Sequence, residues 1–351
     1  MTKATVAVIG AGAIGRAHVE TMLGADSCVL AAIAEPSAGG RAYADGLGVR
    51  CYADPLDLLR EVKPEAAIIA TPNATHRELA IACIERGIVP LVEKPIASTL
   101  ADAAAIAAAS ERSGVPVLVG HHRRHNPIIR RARAMVAEGA LGRLTNATVL
   151  YTFYKPAEYF EMAWRREAGG GPVLINLIHE IDLIRHVCGE IASVQAIASN
   201  AVRGFAVEDS AAVLLRLVNG ALVTLNLSDT AVSPWSWDLA SGESMNYPPQ
   251  PVPVQTHFLS GTEGSLTLPT LDHWHYKSGK SWFAPITRDG IEIGRGDPYR
   301  AQLDHLVRVV RGEEPPLISA RDGALTLRAT MAVHKAAESG QIVRPDQEMQ
   351  L

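Results

Sequence analysis

Residues 5–15 read TVAVIGAGAIG, from Thr5 to Gly15. Thr5 to Ile9 is a short β-branched run that suits a strand, and it stops at a glycine. Gly10, Gly12 and Gly15 then form G-x-G-x-x-G, and the following AIGRAHVETML keeps helical spacing of its apolar residues. Strand, glycine turn and helix start, in that order, make a dinucleotide fingerprint. Each glycine has its own task. Gly10 permits the tight turn, Gly12 lets backbone approach a pyrophosphate, and Gly15 lets helix pack on strand. Ala13 and Ile14 lie at the helix N-terminus, whose free N–H groups receive phosphates. A second apolar run, VLAAIA, ends at Glu35. An acid there accepts hydrogen bonds from adenosine ribose hydroxyls and repels a 2′-phosphate, so NAD is expected rather than NADP.

The alternation continues. EAAIIA (65–70) reads as a buried strand with TPNATH as its exit loop, and a helix is expected over 75–86. IVPLV is the next strand, leading into Glu93-Lys94-Pro95. Lysine is among the residues least often buried, yet this one stands at the mouth of an apolar strand with a proline after it. Thr99 and Asp102 resemble a capping box, opening an alanine-rich helix that runs to Gly114. VPVLVG is a last short strand. The pattern predicts an α/β doubly wound parallel sheet, a Rossmann domain over residues 1–125. Ligands of such sheets bind beyond the carboxyl ends of the strands. Thr71, Pro72, Asn73, His76, Glu93 and Lys94 fall there and are the expected cofactor-binding positions, with GHHRRHNP (120–127) beside them.

From about residue 126 the chain changes character. RLTNATVLYT, SVQAIAS, DSAAVLLRLV, ALVTLNL, THFLS and SLTL read as strands, with Asn219-Gly220 a hairpin signal between two of them. Residues 126–351 are therefore expected to form a second α/β domain with a large open, mainly antiparallel sheet, serving substrate binding and oligomerisation. Segment 229–256 is proline-rich and aperiodic, and such loops are often functional, so it belongs near a pocket or a subunit contact. DPYRAQLDHLVRVVRG and ALTLRATMAVHKAAESG read as amphipathic helices. The chain has 351 residues and a formal net charge of −4, which argues against a nucleic-acid or anionic-membrane partner. No apolar run is long enough for a membrane helix, and the start carries no signal-peptide pattern. The four scattered cysteines suit a cytoplasmic protein, without disulfides or a metal site.

GGGPVLINLIHEIDLIRHVCGE (169–190) reads as one helix. At helical pitch Asn176, His179, Asp182 and His186 share a stripe roughly 120° wide on an otherwise aliphatic helix. Three readings fit these residues: His179 as an acid–base group, a metal site from His179, Asp182 and His186, or polar side chains satisfied by another element.

GAGAIGRAH, ATPNATH, VEKPIA, GHHRRHNP, WRREAGGG, HEID and GTEGSLTL occur in this order over nearly the whole chain. In these pieces the sequence resembles the glucose–fructose oxidoreductase/inositol dehydrogenase/rhizopine-catabolism family (Gfo/Idh/MocA). The resemblance implies an NAD(P)-binding Rossmann domain, hydride transfer on a secondary alcohol of a sugar or polyol, and a homodimer or homotetramer. It implies catalytic roles for Lys94, whose cation would stabilise the substrate oxygen, and for His179, which would take the hydroxyl proton. It favours the acid–base reading for His179 and leaves His186 structural. It places Arg124, matching an R-x-x-P pattern with Pro127, and Trp164 and Arg165, before the glycine turn, beside the substrate; His122, from the same polar cluster as Arg124, joins them as a candidate. One position departs. Sugar dehydrogenases of the family carry an aspartate four residues before the histidine, where this chain has Ile175; the adjacent Asn176 can hydrogen-bond a substrate hydroxyl but cannot act as a base. Such a set of histidines and arginines suits a polyhydroxylated or carboxylated substrate. An NAD-requiring lyase or glycosidase working through transient oxidation, and a silent NAD-binding regulator, are the rival readings.

Overall fold

The computed structural model describes residues 2–243, 247–248 and 250–351. Six short apolar strands make the first sheet: β1 (Ala4–Ile9), β2 (Cys28–Ala34), β3 (Cys51–Tyr52), β4 (Ala66–Ile69), β5 (Val89–Val92) and β6 (Leu118–Val119). All pair in parallel in the order β3-β2-β1-β4-β5-β6. The order reverses direction at β1, so the glycine turn after β1 lies at the switch point where such sheets bind ligands. Buried Val6, Val8, Ile33, Ile68 and Leu91 leave no polar side chain inside the sheet to satisfy. Thr99 caps the helix Leu100–Ser113 reciprocally with Asp102, and Gly114 closes it at φ 75°.

A first compact unit contains residues up to 122 together with 297–327, and a second contains 123–296 and 328–350. The division expected from sequence, at residue 125, left 297–327 with the second domain. The reason for the difference is apolar. Leu303, Leu306, Val307 and Val309 of the helix Pro298–Val310 belong to the same buried cluster as Val6, Val19 and Met22. Arg300 and Asp304 tie that helix to the Gly24 carbonyl and to Ser27.

The second unit is built on an eight-stranded sheet. Its strands are β7 (Leu144–Thr152), β8 (Ile191–Ser199), β9 (Ser210–Leu217), β10 (Leu222–Ser228), β11 (His257–Gly261), β12 (Gly264–Leu268), β13 (Asp272–His275) and β14 (Thr287–Gly290). Every pairing is antiparallel except β7 with β10. Gly220, at φ 89°, makes the β9–β10 hairpin that Asn219-Gly220 predicts. Strands β13 and β14 escape sequence reading because polar Asp, His, Thr and Arg residues fill them. The helix predicted as continuous over 169–190 has a π-helical turn at Val173–Leu177 before the α-helix Ile178–Val187. That wide turn breaks the simple 100° stripe, and such turns mark functional sites. Within 229–256 a short helix, Trp237–Ala240, places Asp238; residues 244–246 and 249 of that segment lie outside the described residues.

Candidate functional site

In the first unit the glycine turn has the shape its motif demands. A Cβ on Gly10 would stand 2.5 Å from the Ala70 carbonyl oxygen, and φ there is +97°. A Cβ on Gly15 would stand 1.9 Å from the Gly10 carbonyl oxygen, so the helix is seated directly on the turn. At Gly12 a Cβ would meet nothing within 4 Å, and Gly12, Ala13 and Ile14 are exposed. Two glycines are thus packed and the middle one is open, as a pyrophosphate cradle requires. The residues fit NAD at this end.

Glu35 lies beyond the end of β2. Its carboxylate accepts the Ala11 N–H at 2.8 Å and the Ser37 N–H at 2.9 Å. Gly40 makes room for it, because a Cβ there would overlap the Glu35 side chain. Burial works to raise the Glu35 pKa, but the two N–H donors prevail and hold it below the usual carboxylate range. The acid stays ionised and its orientation is fixed from behind.

Thr71, Pro72 and Asn73 follow β4 and are half-buried or exposed. His76, expected on the cofactor, is wholly buried instead. Its ring nitrogens lie 2.9 Å from the Thr71 carbonyl oxygen and 3.0 Å from that of Pro95. Burial lowers its pKa against the raising effect of those carbonyls. His76 is a brace that joins two loops at the carboxyl edge of the sheet.

The Lys94–Pro95 peptide is cis. Glu93 is buried, with one carboxylate oxygen 2.7 Å from His18 Nε2 and the other accepting the Lys94 N–H at 3.2 Å. A Cβ on Gly120 would stand 2.8 Å from that carboxylate, so the glycine after β6 is what admits it. Burial opposes ionisation of Glu93, while the hydrogen bond and charge of His18, with His122 and Lys94, lower its pKa overall. Tyr299 meets the His18 ring edge-on and stacks on His122 at 4.4 Å. His122, expected to touch substrate, is therefore packed on an aromatic ring of a helix that sequence reading put in the other domain. Lys94 itself is half-buried.

In the second unit the histidine helix is held by ion pairs. Arg124, expected on the substrate, forms a two-pronged pair with Asp182 at 2.6 and 2.8 Å, both side chains buried. Glu180 binds Arg123 and His257, each at 2.7 Å. Arg133 donates to His186 Nδ1 and to its carbonyl. So Asp182 and His186 belong to structural partners. His179, between these anchored neighbours, is itself buried. Among the described residues no group of three or more His, Cys, Asp or Glu side chains is placed to hold a metal ion.

Asn176 has both ends of its amide engaged. Its Oδ1 accepts from Lys155 Nζ at 2.7 Å and its Nδ2 donates to the Tyr151 hydroxyl at 3.0 Å. That hydroxyl donates in turn to Asp238. Lys155 is buried and lies 3.4 Å from Asp229, which also pairs with Arg203 at 3.1 Å. Burial brings the Lys155 amine down to about 8, against the pull of Asp229. In the sequence Lys155 is only a weak candidate, and Tyr151, Asp229 and Asp238 carry no motif. One signal was available: Lys155-Pro156 repeats, after β7, the strand-end amine and proline of Lys94-Pro95. Trp164 and Arg165 sit on the turn Ala163–Arg166, with Trp164 exposed. Arg165 donates to the Tyr159 carbonyl at 2.6 Å and lies 3.9 Å from the Tyr159 ring centre.

Comparison with known proteins agrees with this geometry. The chain is 28% identical over 349 residues to 1,5-anhydro-D-fructose reductase of Ensifer adhaerens, covering 95% of this chain and 96% of that one. It is 26% identical over 356 residues to scyllo-inositol 2-dehydrogenase (NAD(+)) of Bacillus subtilis, covering 97% and 96%. The WlbA dehydrogenase of Bordetella pertussis, solved with NADH and UDP-GlcNAcA, shares the fold at a TM-score of 0.78, with 22% identity over 98% of this chain and 99% of that one. Residues 4–121 match the oxidoreductase family with an NAD-binding Rossmann fold, and residues 129–267 match the C-terminal domain of the same family. The glycine cradle, the braced lysine loop and the two matched segments lead to one conclusion: the chain belongs to the Gfo/Idh/MocA family of NAD-binding oxidoreductases.

Proposed function

We propose that this oxidoreductase is an NAD-dependent dehydrogenase acting on a secondary alcohol of a sugar, polyol or sugar-acid-like substrate. The observation that carries the reading is the Lys94 loop, held at the mouth of β5 by buried Glu93 in the sheet that also bears the glycine cradle. Relatives named for anhydrofructose and inositol support the substrate class. When bound, NAD supplies the hydride acceptor. Gly10, Gly12, Ala13, Ile14, Gly15, Glu35, Thr71, Pro72 and Asn73 would hold it, with His76 and Glu93 bracing the loops behind. Lys94 stabilises negative charge on the substrate oxygen as the alcohol loses its proton. His179 takes that proton, a general-base task that imidazole side chains commonly perform.

The protein works as a homodimer or homotetramer, and exposed Ile197, Leu214 and Leu222 on the large sheet support that assembly. Its four free cysteines fit a cytoplasmic setting. The deciding experiment is a screen of sugars, polyols and sugar acids with NAD, read at the NADH absorbance band. Net NADH from a member of the panel is expected, with little from NADP because of Glu35. Substrate breakdown without net NADH would favour a lyase, and NAD binding without turnover on the whole panel a regulator.

A further inference from the structure

Two cations of the segment after β7, Lys155 and Arg165, face one aromatic ring. Lys155 Nζ is 4.8 Å from the centre of the Tyr159 ring, and the Arg165 guanidinium is 3.9 Å from the same ring. Arg203 joins them from the β8–β9 connection, donating to the Lys155 carbonyl at 2.9 Å. Asp229 is shared by Lys155 and Arg203. Among the described residues no carboxylate pairs with Arg165. Its Nη1 is used by the Tyr159 carbonyl, which leaves the Nε–Nη2 edge, and Nε is shielded from water with no acceptor. A donor kept from water with nothing to accept it is costly, and the guanidinium edge is a fork matched to a carboxylate. Arg165 is half-exposed, so that edge can open to a ligand.

We propose that this turn is an anion subsite, and that the substrate carries a carboxylate seated against Lys155 and Arg165: a sugar acid such as an aldonate or uronate. The proposal rests on the dehydrogenase reading and narrows it. Asn176, whose amide is committed to Lys155 and Tyr151, then fixes the direction of the Lys155 amine. Around that amine stand Asp229 and Arg203, with Tyr159 over it and Asp238 farther off. Loss of the amine's proton near pH 8 would remove half of the subsite's charge.

The test uses the full chain with NAD and two matched pairs, D-galactose with D-galacturonate and D-glucose with D-glucuronate, plus D-gluconate. An acid is expected to have at least tenfold higher kcat/KM than its neutral partner at pH 7. Its KM should rise as pH passes 8 while that of the neutral sugar does not. Arg165→Gln and Lys155→Met should each lower the acid-to-neutral ratio at least tenfold. Arg165→Gln carries the test if the buried Lys155 variant fails to fold. Preference for the neutral sugars, or an unchanged ratio in Arg165→Gln, overturns the subsite while leaving the dehydrogenase reading intact. Absence of NADH from these five and from the wider panel of sugars, polyols and sugar acids overturns the dehydrogenase reading. Calorimetric titration of the NAD-loaded protein with galacturonate, glucuronate and gluconate then decides the subsite alone: binding lost in Arg165→Gln supports it, and binding of none, or unchanged binding, refutes it.

Discussion

The two units hold their candidate site residues by different physics. In the first, position comes mainly from backbone: glycines that permit close approach, carbonyls that hold His76, and N–H groups that hold Glu35 and, with the His18 ring, Glu93. In the second, position comes from side-chain charge: Arg123 with Glu180, Arg124 with Asp182, Lys155 with Asn176 and Asp229. Backbone positioning is local and tolerates little change of shape. Charge positioning is long-range and tolerates little change of charge.

The largest effect expected is on turnover. Lys94→Ala and His179→Ala should each lower kcat by about 10²–10⁴-fold, with NAD binding by fluorescence titration largely kept. Near-normal rates in both would remove the proposed chemistry from both units at once. Next comes the charge scaffold. Asp182→Ala removes the two-pronged carboxylate partner of a buried guanidinium and should cost about 3–5 kcal/mol in denaturant unfolding; a loss near zero would mean that the second unit is not held by its ion pairs. The backbone scaffold should answer differently. Gly15→Ala should cost about 1–3 kcal/mol through overlap with the Gly10 carbonyl. Gly12→Ala should leave the melting temperature unchanged and weaken NAD binding alone. Equal behaviour of the two glycine variants would show that the turn is not a cradle.

The smallest effect is in pH. The Glu35 pKa is lowered, so its contribution to stability is complete above the unfolded carboxylate value and is lost only as pH falls through the lower folded one. Nucleotide affinity should therefore hold as pH drops through the ordinary carboxylate range and fail only below it. Failure at the ordinary value would show that the Ala11 and Ser37 N–H groups do not hold the acid.

This contrast also governs how much could be read from sequence. Gly10, Gly12, Gly15, Glu35 and Thr99–Asp102 announce themselves because their partners are close in the chain or belong to a recurring turn. Arg124 and Asp182 are 58 residues apart, and Arg123 and Asp238 are 115 apart. No local pattern encodes such pairs, so Arg124 looked available to a substrate when Asp182 already held it. His76 misled for a related reason: its place in an exit loop is visible in sequence, but its burial under two carbonyls is not. The π-turn at Val173–Leu177 has no composition signal either, since its residues suit an ordinary helix.

The return of residues 297–327 to the first unit has a consequence for biosynthesis. A ribosome completes the glycine turn before any of the second unit's large sheet, yet Leu303, Leu306 and Val307 arrive only after that sheet has been translated. The nucleotide-binding half must wait, partly uncovered, while its companion is translated. A fragment ending at residue 125 would emerge with that apolar surface bare and should aggregate, whereas the same fragment mixed with a peptide spanning 297–327 should recover solubility.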